Sequence, residues 1–93
     1  MTNNRNTPQI LSEVLLITNS SDRHGVAVTK LCHDANISHG RLKKLIVKLT
    51  DAGLMNKIEY DGKNTFVVTP RGRVFLEQYK QFSNIVESFG LDM

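Results

Sequence analysis

Between Arg41 and Lys48 the chain carries four basic residues, Arg41, Lys43, Lys44 and Lys48, and no acidic one. Such side chains neutralise phosphates and hydrogen-bond guanine edges, so the chemistry they suit is polyanion recognition rather than bond-making. Bond-making would need groupings that are missing. Zinc takes four ligands at recognisable spacings, whereas here a single Cys32 accompanies scattered His24, His33 and His39. Cys32 and His33 are helical neighbours whose side chains diverge by about 100°, which is poor placement for a nucleophile and its base. Cys32 is therefore expected as a small core residue, and His33 and His39 as solvated helix surface. No Gly-rich phosphate loop, HExxH or GxSxG is present, and Asp22, Asp34, Asp51, Glu59 and Asp61 are dispersed. The sequence predicts no enzyme, no cofactor, no metal and no small-molecule substrate.

Twelve Lys and Arg against nine Asp and Glu give a net charge of +3, too mild to identify a partner by itself. Its concentration in one stretch is the informative feature. Ninety-three residues, 40% of them hydrophobic, suffice for one domain without staples. One cysteine cannot close an internal disulfide, the polar start Met1 to Asn6 has no apolar segment after it, and the longest apolar run is Val14 to Ile17. These features predict a soluble cytoplasmic protein without membrane contact, nucleoid-associated if its partner is DNA.

The elements that must position the basic stretch follow from periodicity and punctuation. Residues 1–6 are expected as a disordered tail. Thr7-Pro8 pairs a capping residue with a proline suited to the first helical position, and Ile10, Leu11, Val14, Leu15 and Ile17 form a helical stripe that leaves out Leu16. After a turn-rich stretch, Val26 to Val28 reads as a brief strand, and Thr29 as the cap of a second helix ending at Ala35. Leu31, Cys32 and Ala35 make its inner face. Asn36-Ile37 turns the chain, Ser38 caps a third helix, and Gly53 ends it in a left-handed conformation. Two helices joined so tightly are a helix-turn-helix candidate. Met55 to Tyr60 and Thr65 to Thr69 then flank Asp61-Gly62-Lys63-Asn64, whose Asp-Gly pair is a hairpin signal and hence marks a wing. Thr69-Pro70 opens a last helix running to about Phe89.

At 100° per residue, Leu42, Leu45, Ile46 and Leu49 occupy one arc of the third helix, which must face the core. Gly40, Arg41, Lys44, Val47, Lys48 and Asp51 are thereby forced outward, with His39 and Lys43 on the flank. A basic face on the second helix of such a pair suits the major groove of double-stranded DNA, with Ser38, His39, Gly40 and Arg41 at the helix start. A glycine in a first helical turn has no evident local reason, and close approach to a phosphate or base would supply one. Lys and Arg on a helix can simply solvate it. Lys57 and Lys63 on the wing, with Thr29 and Lys30 at a helix start, favour a backbone-contacting role instead. Arg71 and Arg73 stand at a further helix start.

In the last helix Phe75, Tyr79, Phe82, Val86 and Phe89 recur at intervals of four and three, the seam spacing of a coiled coil, and Gln78 and Ile85 widen the stripe. Val74 and Phe75 are expected to pack on the preceding domain. The remaining surface predicts a homodimer. Folding back along the first helix to cover Leu16 is the alternative.

These segments resemble the small archaeal winged-helix DNA-binding proteins, including the chromatin-associated type that dimerises through a C-terminal coiled coil. The resemblance rests on Thr29-Lys30-Leu31, Ala35-Asn36-Ile37-Ser38, Leu42 through Leu49, Gly53-Leu54, and Thr69-Pro70-Arg71-Gly72 followed by Phe75-Leu76. It implies a homodimer that binds DNA. The chain departs at Cys32-His33, where members carry Met-Tyr, at His39, where they carry an aromatic, and in its shorter last helix. The expected fold is an α+β winged helix-turn-helix, a three-helix core with a β-hairpin wing over residues 7–69, plus a dimerisation helix within 70–93. The expected function is that of a transcriptional regulator or nucleoid-type architectural protein. A protein-interaction winged helix within a transcription complex is the rival, and an acid-free basic cluster on its exposed face is what argues against it.

Overall fold

Apolar side chains at helical spacing fold three helices around one core in the computed structural model, which describes residues 7–91. The expected tail, residues 1–6, lies outside the described residues. The elements are α1 (Thr7–Asn19), α2 (Val28–Ala35), α3 (His39–Asp51), β1 (Met55–Tyr60), β2 (Lys63–Val68) and α4 (Pro70–Ser88). Ile10, Val14 and Leu15 of α1 meet Leu31 and Ala35 of α2 and Leu42, Leu45, Ile46 and Leu49 of α3. Met55, Phe66 and Val68 close the core from the hairpin. Burial of each large side chain contributes about 1.5–3 kcal/mol. Thr18 is also buried, because its hydroxyl donates to the Val14 carbonyl at 2.7 Å and so leaves no unpaired donor.

The start of α2 differs from expectation. Val26 forms one isolated bridge with Phe66, its N–H donating to Phe66 O at 3.0 Å and its O accepting from Phe66 N–H at 2.9 Å. The chain turns immediately afterwards, so Val28 is already helical and no strand covers 26–28. Ala27 is the N-cap without a side-chain bond, and Thr29 lies inside the first turn. Cys32 is half-buried, packed against the core rather than within it.

The hairpin is antiparallel, with Tyr60 opposite Lys63 and Met55 opposite Val68. Its loop is therefore only Asp61-Gly62, both with positive φ (54° and 76°), as a type I′ turn requires. Lys63 and Asn64 belong to the strand. In α4, Val74 points outward at 59% exposure, contrary to expectation, and Phe75 with Leu76 pack against the core instead. Helical rotation explains the exchange, since Gly72 and Leu76 share the face that meets the domain. Gly72 lies so close to the Leu54 carbonyl and Val68 that a Cβ there would collide with both. The helix packs on α1 and β2, yet Leu16 stays 56% exposed beside it. Three helices, a two-stranded wing and a further C-terminal helix make this a winged helix-turn-helix fold.

Candidate nucleic-acid interface

The turn between α2 and α3 is set by two local devices. Asn36 adopts the left-handed conformation (φ 56°), and the Ile37 N–H then donates to Cys32 O at 3.2 Å. Ser38 follows as the N-cap of α3, its Oγ accepting from the Arg41 N–H at 3.3 Å. Four buried side chains, Leu42, Leu45, Ile46 and Leu49, then lock the rotation of α3. His39, Gly40, Arg41, Lys43, Lys44, Val47, Lys48 and Asp51 are all exposed.

Opposite the buried arc, Gly40, Lys44, Val47 and Asp51 form the outermost ridge of α3. Arg41 and Lys48 flank it on one side. Lys43 and Thr50 flank it on the other, where they line a shallow groove between α3 and the hairpin together with Val47, Asn56 and Lys57. None of the four α3 cations joins an ion pair among the described residues. A Cβ at Gly40 would meet nothing within 4 Å, so the protein itself imposes no glycine there.

The other sequence-selected residues lie apart from this ridge. Lys57 and Lys63 are six apart across a two-residue turn, and the register puts them on opposite faces of the wing. Lys57 lies opposite Phe66 in the groove beside α3. Lys63 shares the far face with Tyr60, whose ring stacks on His24 at 3.9 Å between centroids. Glu59 and Asp61 also lie on the wing and offset its two lysines. Thr29 and Lys30 are exposed in the first turn of α2, but Lys30 Nζ lies 3.0 Å from Asp34 Oδ2. That hydrogen bond, with a smaller one from His33, holds the Asp34 carboxyl below the ordinary carboxylate range.

A second surface runs along α4. Phe75 and Tyr79 are half-buried with rings 6.3 Å apart, and Phe82 continues the row 6.4 Å beyond Tyr79. Phe82, Ile85 and Phe89 are 61%, 58% and 74% exposed, while Val86 is half-buried. Val74, Leu91 and, from α1, Leu16 add to the exposed apolar area. Leu91 was not legible as part of the stripe, because it follows the end of the helix.

Among the described residues, no grouping of three or more His, Cys, Asp and Glu could hold a metal, and no helix is long and apolar enough to cross a membrane.

Known structures share this fold. Sso10a-2, a DNA-binding protein from Sulfolobus solfataricus, superposes with a TM-score of 0.76 at 19% identity, over 91% of this chain and 85% of that one. The DNA-binding TubR fragment from Clostridium botulinum gives 0.64 at 22% identity, over 85% and 99%. The M. tuberculosis transcriptional regulator MosR gives 0.64 at 15% identity, over 90% of this chain and 63% of that one. At such identities the likeness is one of fold. No curated protein sequence matches the chain. The winged helix-turn-helix family model matches residues 4–87. With the helix pair, the wing and nearly the whole length accounted for, this chain belongs to the winged helix-turn-helix family.

Proposed function

We propose that this protein binds double-stranded DNA as a homodimer, with α3 in the major groove and the hairpin beside the sugar-phosphate backbone. It would then act as a transcriptional regulator or a nucleoid-type architectural protein. The observation that carries this reading is the outward face of α3, where Arg41, Lys43, Lys44 and Lys48 stand exposed and without ion pairs among the described residues. Free cations on a helix that nothing else covers are suited to phosphates on both walls of a groove. Sso10a-2 and the TubR fragment, which share the fold, are DNA-binding proteins. The dimer is supported by the apolar face of α4, which a lone chain exposes to water.

The test is a gel-shift titration with a random duplex across salt concentrations. Each phosphate neutralised contributes a slope of about −0.9 in log K against log salt, so Lys44→Ala with Lys48→Ala, which removes two cations from each protomer, should flatten the slope of the dimer by up to about 3.6. Absence of binding at low salt, or an unchanged slope in the double variant, would overturn the reading and favour a protein partner for this face.

A further inference from the structure

We propose that Val47 determines base preference by covering thymine methyl groups in the major groove. The proposal rests on the DNA-binding reading above and adds to it which side chain meets the base edges. An α-helix with its side chains is about 10–12 Å across and the groove about 12 Å wide, so a seated helix fills it and only its outermost ridge reaches the floor. On α3 that ridge is Gly40, Lys44, Val47 and Asp51. Arg41 and Lys48 on one flank, and Lys43 on the other, stand toward the phosphate walls. Gly40 presents no side chain and faces open space, which lets the first turns of the helix sit close to the bases.

Val47 is the one apolar side chain among these outward positions. It is 56% exposed, in a helix whose four core positions are already filled by Leu42, Leu45, Ile46 and Leu49. A β-branched residue is a poorer helix former than alanine or lysine, so helix propensity does not account for it. Four of its neighbours are suited to a polyanion, with Lys43 and Lys57 lining the same groove and Lys44 and Lys48 adjacent on the helix, while Asp51 follows one turn along the ridge and Val28, Ile46 and Phe66 also line the groove. An apolar group held among cations over a groove floor has one apolar counterpart there, the C5-methyl of thymine. No other base edge presents a methyl there.

Removing that methyl from the DNA tests the assignment without knowledge of an operator. Affinities are measured at low salt for a duplex of alternating dA and dT and for the same duplex with deoxyuridine in place of thymidine. Wild type should prefer the thymine duplex by about fourfold for each methyl covered, the effect of burying one such group. Val47→Ala should lose the preference while its salt slope stays that of wild type and its thermal melting does not fall, and Val47→Ile should retain it. Equal wild-type affinity for the two duplexes overturns the role of Val47 but leaves DNA binding standing. A preference that persists in Val47→Ala also overturns it, since duplex shape rather than side-chain contact would then be responsible. No binding of wild type to either duplex overturns the DNA-binding reading itself.

Discussion

The hydroxyl of Thr69 donates to the carbonyl of Gly53 at 2.7 Å, tying the first residue before α4 to the residue that ends the turn after α3. The same oxygen accepts from the Gly72 N–H at 3.0 Å as the N-cap of α4, and the Thr69 N–H donates to Leu54 O at 3.1 Å. One side chain thus fixes the direction in which α4 leaves the domain and, through Gly53, its relation to the end of α3.

Loss of this clamp should be measurable as stability. Thr69→Ala removes a cap and a tertiary bond, and should lower stability by about 1–2 kcal/mol. Thermal melting should fall by roughly 4–8 °C per kcal/mol in a domain of this size. Gly72→Ala should cost about 1–3 kcal/mol, because its new methyl meets the Leu54 carbonyl and Val68. A Gly72→Ala protein that melts with wild type would show that the close approach does not exist.

Asp34 restrains a cation that the sequence assigns to the DNA surface. Asp34→Asn removes the partner of Lys30 Nζ and one negative charge beside it. If Lys30 touches a phosphate, the variant should bind duplex DNA more tightly at low salt, with a salt slope steeper by about 0.9 for each protomer. In wild type the pairing should weaken in acid, and the sign follows from the shift. The Asp34 carboxyl titrates below its ordinary value, so its pairing is intact above that value and is lost as pH falls through the lowered pKa. The Asn variant should lack this acid-dependent change in affinity. Identical affinity and slope in the variant would remove Lys30 from the interface.

The apolar face of α4 makes a prediction about assembly. Wild type should sediment as a dimer at micromolar concentration. Phe82→Asp combined with Val86→Asp should shift it toward monomer and weaken DNA binding, because two linked half-sites bind through one another's effective concentration. Phe82 is 61% exposed and outside the core, so the domain itself should still fold, as circular dichroism would show. A wild type that stays monomeric throughout would place α4 in another role.

Apart from the brief strand expected at 26–28, the sequence by itself determined the order and type of the elements. Capping residues, two prolines and three turn signals are local chemistry, and they set α1, α3, the hairpin and α4 within a residue or two. The outward face of α3 was legible for the same reason, since four apolar residues at helical spacing leave only one orientation. What the sequence could not reveal depends on partners far along the chain. Val26 pairs in a single bridge with Phe66, forty residues later, and α2 begins at Val28, one residue before the expected cap Thr29. Lys57 and Lys63 look equivalent until the strand register separates them onto two faces of the wing. The choice of Leu76 over Val74 as the packing residue of α4 was decided by Gly72, because only a residue without a side chain lets that face approach Leu54. Local propensity speaks for a residue and its near neighbours, whereas register and close approach are settled only when the distant segment arrives.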